Sequence, residues 1–273
     1  MQLSSLKTMI IAVVCLAMLG TGCKPAQTGA KAVTIYVPCG MEMPFMDLEK
    51  RFEKEHQGVD IRLMFDNSNI LVDRVAEKGE RPDAVVSPGG HELVKLIDAG
   101  LVKSSEIRRF GQYDLCLFVP RANVAEVKRI EDLTKDTVKV VAVADPETTS
   151  IGHFTVETLK NAGIWDAIQA KVVITGDASQ TYKHVASEKA DASFAYRSCP
   201  LKTAPDKLEY CKVRIIQSVP DDLYGPAYAS AAVLKTAPNA GLAEAFIDML
   251  LSADGQAILR SYELPSLKPE ASK

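Results

Sequence analysis

Apolar and polar positions along the chain repeat one theme: a short β-branched run, a break, then an amphipathic stretch at helical spacing. In its first instance Val33, Ile35 and Val37 alternate with Thr34 and Tyr36, a period-two pattern that predicts a buried strand. Pro38, Cys39 and Gly40 break the run. Pro44 then stands at the start of a predicted helix, where its missing N–H costs nothing, and Phe45, Leu48 and Phe52 share one face. The unpaired amides of such a helix start point back at the turn and, with the helix dipole, suit an anion. An ordinary structural βα unit carries the same signs, so this fragment leaves both open.

The theme recurs. Val59 to Phe65 predicts a second strand, ending in Asp66-Asn67-Ser68-Asn69, a cluster suited to capping a helix from Ile70 to Lys78. Ala84-Val85-Val86 predicts a third strand, with a helix from His91 to Ala99 behind Gly89-Gly90. Three βα repeats in succession imply a parallel sheet with helices on its faces. Tyr113 to Val119 reads as one central strand, with Cys116 an inert thiol inside it. A second series follows: strand Val138–Val143, helix Ser150–Asn161, strand Val172–Ile174, a helix whose start carries the Asp177/Gln180 capping-box spacing, and strands Ala192–Tyr196 and Val213–Gln217. Strand Tyr228–Leu234 and two amphipathic helices, Asn239–Leu251 and Asp254–Tyr262, close the pattern. Nothing between the two series reads as a flexible linker. The expected fold is α/β with two lobes joined by strands, residues 32–114 with 226–273 forming one and 115–225 the other. Open α/β sheets bind ligands beyond the carboxyl ends of their strands, so two that face each other make a cleft.

Composition changes this picture little. The 273 residues suffice for two cores, and 47% hydrophobic with 25% charged residues is ordinary globular usage. A net charge of −3 without a basic stripe gives no sign of a nucleic-acid partner. The N-terminus does add something. Lys7 precedes an apolar run from Met9 to Leu19, too short to span a bilayer but suited to an export signal. Gly20, Thr21 and Gly22 before Cys23 resemble a bacterial lipoprotein signal, although Gly20 stands where that pattern has leucine. Residues 1–23 are therefore expected to be a signal, with Cys23 the lipid attachment point, and 24–31 a tether; plain secretory cleavage is the alternative. The mature chain is then expected outside the cytoplasm, where Cys39, Cys116, Cys199 and Cys211 meet oxidising conditions.

Taken in order, Val33–Phe52, Gly58–Val75, Arg81–Gly100, Asp145-Pro146-Glu147, Ala162–Asp166, Ala190–Ala192, Ala195–Ser198 and Ser252–Arg260 resemble the molybdate-binding proteins of bacterial ABC importers. That resemblance covers nearly all of residues 33 to 264 and implies the two-lobed type II periplasmic binding protein fold. It also implies a receptor for a tetrahedral oxyanion such as molybdate or tungstate, with no cofactor, acting as a monomer with a membrane permease and tied to the membrane by its lipid. Such receptors hold a dianion with hydroxyls and backbone N–H groups alone, dipoles that offset its desolvation yet let it leave. Matched by position, the hydroxyl contacts fall on Ser68 and Tyr196, and the backbone donors near Ile151, with Ser150 beside it, and on Ala178. The first loop departs: Cys39-Gly40 stands where the family carries serine, which replaces a hydroxyl donor by a thiol or by the Gly40 N–H.

Several residues keep alternatives open. Cys199 could pair with Cys39 across the cleft or with Cys211 across a short loop. Unpaired, Cys39 and Cys199 with Met41, Met43 and His153 could form a soft site for Cu(I) or another thiophilic species. His153 could place a switchable charge beside the anion donors or remain outside the pocket. Cys39 and His153 could also be drawn as nucleophile and base of a hydrolase, but no third group orients them, and the expectation is a binding protein rather than an enzyme.

Overall fold

The computed structural model describes residues 30–198 and 212–267. Among the described residues, ten strands and eight α-helices follow one another: β1 Lys31–Pro38, α1 Glu42–Glu55, β2 Val59–Asp66, α2 Ser68–Ala76, β3 Ala84–Ser87, α3 Glu92–Asp98, β4 Arg108–Tyr113, β5 Leu115–Pro120, β6 Val141–Ala144, α4 Ser150–Asn161, α5 Trp165–Ile168, β7 Val172–Thr175, α6 Ala178–Ala186, β8 Ala192–Tyr196, β9 Val213–Ser218, β10 Ala227–Val233, α7 Ala240–Leu251 and α8 Ala253–Ser261. They form two five-stranded sheets, ordered β2-β1-β3-β10-β4 and β7-β6-β8-β5-β9. In each, three strands are parallel, the fourth is antiparallel to them and the fifth antiparallel to the fourth.

The matching orders follow from how the chain crosses. β4, at the edge of the first sheet, leads through Asp114 directly into β5 of the second. β9, at the edge of the second, leads back into β10 of the first. Each sheet thus takes its antiparallel fourth strand straight from the other lobe. The strand expected at 113–119 is therefore two strands. Tyr113 pairs with Ala227 in one sheet, while Leu115 pairs with Tyr196 in the other. The alternation of apolar residues runs unbroken through the crossing and hides it; only the polar Asp114 marks it. The strand 108–113 was not expected, because Arg108 and Arg109 mask a segment in which Phe110 and Tyr113 alone supply large apolar side chains.

Both faces of each sheet carry core, and in the second sheet Leu117, Val143 and Phe194 belong to the same buried cluster as Leu159 of α4. α1 lays Phe45, Leu48 and Phe52, all fully buried, against the first sheet, where the Phe45 ring meets Phe110 and Phe246. Burying each such side chain contributes about 1.5–3 kcal/mol. α2 and α3 cover the opposite face of that sheet through Leu71, Val75, Leu93 and Leu96. α6 covers the second sheet through Val185 against Phe118 and Ala142. Pro44 falls at the third position of α1 rather than its first, still inside the turn whose amides have no intrahelical acceptor.

Candidate functional site

The two lobes enclose a cleft of about 400 Å³ between the carboxyl ends of their parallel strands. Its wall is assembled one strand end at a time. Pro38, Cys39 and Gly40 follow β1, and Asn67, Ser68 and Asn69 follow β2. From the other lobe, Thr149 and Ile151 come after β6, Asp177 and Ala178 after β7, and Tyr196 ends β8. Four helix or 3-10 starts therefore face one space, where their dipoles add.

Local sequence sets each start. After β6, Asp145 Oδ1 accepts the Glu147 N–H at 2.9 Å and the Asp145 carbonyl accepts the Thr149 N–H at 3.0 Å, so Asp-Pro-Glu makes a tight turn. Thr149 caps α4, its hydroxyl accepting the Gly152 N–H at 3.1 Å. Gly152 cannot carry a side chain, since a Cβ there would lie 2.2 Å from the Ala144 carbonyl oxygen. Asp177 caps α6 by accepting the Gln180 N–H at 2.9 Å. The reciprocal bond of the expected capping box is displaced by one residue: Gln180 Oε1 accepts from Gly176 N–H at 3.2 Å. Asn67 holds the cap position of α2 without a capping side-chain bond, and Asp66 accepts the Asn67 N–H instead at 2.8 Å.

Of the positions expected to bind ligand, Cys39, Gly40, Ser68, Ile151, Ala178 and Tyr196 all line the cleft. Ser150 does not; it is fully buried behind the wall. His153 is also outside the lining, and its ring stacks on His91 with centroids 4.6 Å apart. Burial, and after it the neighbouring His91 and Lys160, depress its pKa below the ordinary 6.5, while Glu157 opposes them. Met41 is fully buried in the first lobe and Met43 points to solvent, so neither joins Cys39 at the cleft. Cys39 Sγ lies 4.0 Å from Asn67 Oδ1. Cys23, Cys199 and Cys211, with the pairings considered for them, lie outside the described residues. Among the described residues no group of three or more His, Cys, Asp or Glu is gathered for a metal ion, and no helix is long and apolar enough to cross a membrane.

One charged group of the cleft wall carries no signal in the sequence. Glu92, at the first position of α3, lines the cleft yet is only 4% exposed. Ser68 Oγ donates to its Oε1 at 3.0 Å and Ser87 Oγ to its Oε2 at 2.6 Å, both from the first lobe. From the second lobe, the Ser150 N–H donates to Oε1 at 2.8 Å and its hydroxyl to Oε2. The cleft lining holds no lysine or arginine among the described residues; Glu92 and Asp177 are its charged groups. An acidic residue in a helix's first turn is unremarkable in sequence, and only the fold brings three serines around it.

Other contacts cross between the lobes. The His91 N–H donates to Ser150 Oγ at 3.0 Å, and Asn69 Nδ2 donates to the Gly176 carbonyl at 3.2 Å. Tyr113 and Tyr196 stack with centroids 4.2 Å apart where β4 passes into β5. Gly89 permits the close approach, because a Cβ there would sit 2.3 Å from Ser150 Cβ.

A family profile described as "Bacterial extracellular solute-binding protein" matches residues 33–262. The chain belongs to this family. YvgL of Bacillus subtilis (strain 168), which carries the provisional name of an ABC transporter substrate-binding lipoprotein, is 22% identical over 250 residues, covering 90% of this chain and 92% of its own. The molybdate-binding protein ModA of Escherichia coli (strain K12) is 24% identical over 234 residues, 84% of this chain and 87% of its own. The sulfate-binding protein SubI of Mycobacterium tuberculosis H37Rv shares the fold at a TM-score of 0.71 and 14% identity, over 88% of each chain. Other solved structures of this two-lobed periplasmic binding protein fold are named for iron and thiamin binding. These proteins are named for binding, not catalysis, and this member of the family is a solute-binding protein rather than an enzyme.

Proposed function

We propose that this solute-binding protein is the extracytoplasmic receptor of an ABC importer and that it captures a small tetrahedral oxyanion between its lobes. The observation that carries this is the convergence of Gly40, Ser68, Ile151, Ala178 and Tyr196 on one cleft from five strand ends in both lobes. Backbone amides at helix starts and side-chain hydroxyls are the neutral donors an oxyanion needs when it leaves water. Molybdate is the member of that class that the name of ModA supports, and tungstate shares its charge and shape. Closure of both lobes on the anion couples binding to lobe angle, the signal a membrane permease can read. Attachment at Cys23 would hold the receptor beside that permease, and the name of YvgL supports it.

The soft-metal alternative finds less support, since Met41 lies in the core and His153 outside the cleft. Titration calorimetry of the mature protein with tetrahedral oxyanions and with Cu(I) separates the two. Oxyanion binding weakened in Tyr196→Phe supports the proposal. Metal binding lost in Cys39→Ser, without any oxyanion response, overturns it.

A further inference from the structure

Glu92 already receives what an oxyanion receives in such a cleft: hydroxyl and amide donors from both lobes, on both of its oxygens. Two of the hydroxyls are held in that role. The Gly90 N–H donates to Ser87 Oγ at 2.8 Å and the His91 N–H to Ser150 Oγ at 3.0 Å, which leaves each hydroxyl proton directed at Glu92. Ser68 is different. It lines the cleft, and among the described residues no amide donates to its oxygen. Its proton is the one of the four that a ligand can take over.

The exchange has different consequences for two kinds of oxyanion. A fully ionised one, such as sulfate or molybdate, can accept the Ser68 proton but then sets a charged oxygen against the Glu92 carboxylate with no proton between them. Like charges in a partly desolvated cleft repel strongly. An oxyanion that carries a proton can accept from Ser68 and donate its own O–H to Glu92 Oε1, so every hydrogen bond lost is replaced. We propose that Glu92 is the specificity-determining residue of the cleft and selects oxyanions that carry a proton, such as hydrogen phosphate, over fully ionised ones. This rests on the oxyanion receptor proposed above and moves the choice within that class away from molybdate and tungstate.

Hydrogen phosphate and sulfate test it directly, because at mildly alkaline pH they share charge and shape and differ by one proton. Calorimetric titration of the mature wild-type protein should show hydrogen phosphate binding at least ~10-fold more tightly than sulfate, molybdate or tungstate, as one well-made hydrogen bond to a charged group implies. Glu92→Gln removes the charge and keeps the shape; its fold is checked by its thermal midpoint. It should bind sulfate and molybdate at least ~10-fold more tightly than wild type and lose the preference for hydrogen phosphate. A wild-type preference for sulfate or molybdate overturns the inference, whether or not the variant folds, and so does a folded Glu92→Gln with an unchanged ranking. Either result leaves the oxyanion receptor standing. Binding of none of the four anions by either protein overturns both together.

Discussion

Glu92 and Ser150 meet across the boundary between the lobes: the Ser150 N–H donates to Glu92 Oε1 at 2.8 Å, and the Ser150 hydroxyl donates to Oε2. One comes from the first turn of α3 in the first lobe and the other from the first residue of α4 in the second. Both are buried, so the contact joins the lobes with little competition from water.

Ser150→Ala should therefore destabilise the protein. It removes a donor to Glu92 and the acceptor of the His91 N–H, leaving buried polar groups short of partners, at a cost of about 1–3 kcal/mol. Urea unfolding at neutral pH measures this. An unchanged midpoint would show that the lobes do not depend on this contact.

Gly89 sets how closely the lobes approach. A Cβ there would lie 2.3 Å from Ser150 Cβ and 2.8 Å from Phe154 Cε2, and a Cβ on a helix cannot swing aside as a flexible side chain would. Gly89→Ala should wedge the cleft open, with overpacking of about 1–3 kcal/mol shared between the fold and closure. Small-angle scattering should give a larger radius of gyration, and oxyanion affinity should fall by ~10-fold or more. Unaltered dimensions and affinity would contradict the closed geometry.

The burial of His153 makes stability depend on pH in a defined direction. Burial holds the His153 pKa below 6.5 in the fold, helped by His91 and Lys160 and opposed by Glu157. As pH falls through 6.5 the unfolded chain binds a proton that the folded protein resists, so this contribution falls as pH drops and is flat only from about a unit above that value. The thermal midpoint should decline from about pH 7.5 to about pH 5.5, and His153→Phe, which keeps an aromatic ring against His91, should reduce the slope. An equal slope in the variant would assign the pH dependence elsewhere.

Asp177 caps α6 and places the Ala178 amide at the cleft. Asp177→Ala should lower stability by about 0.5–2 kcal/mol and weaken oxyanion binding through fraying of the first turn. Asp177→Asn, which retains a capping oxygen, should restore most of the stability; failure to do so would mean that charge, not capping, is what matters there.

Much of this architecture was legible in the chain. α4 was expected at Ser150–Asn161 and β8 at Ala192–Tyr196, and both stand at those bounds, because the Thr149 cap and Gly163, with its φ of 70°, bound one while the aromatic Phe194 and Tyr196 at period two mark the other. The crossing at Asp114 was not legible, since apolar alternation records burial and not which sheet a strand joins. The positions Ser68, Ile151, Ala178 and Tyr196 come from the resemblance to molybdate-binding proteins rather than from the βα pattern, and the structure sets them, with Cys39 and Gly40, at strand ends around one cleft. Glu92 was hidden for the opposite reason. Its partners Ser68, Ser87 and Ser150 are scattered in sequence and meet only through tertiary structure.

The most direct test of the account is calorimetric titration of the mature protein against molybdate, tungstate, sulfate and hydrogen phosphate, repeated with Tyr196→Phe. Saturable one-to-one binding of at least one of these anions is expected, weakened by ~10-fold or more in the variant, as the loss of a hydroxyl donor to a charged ligand requires. Absence of binding for all four, or binding that Tyr196→Phe leaves unchanged, would contradict an oxyanion site in this cleft.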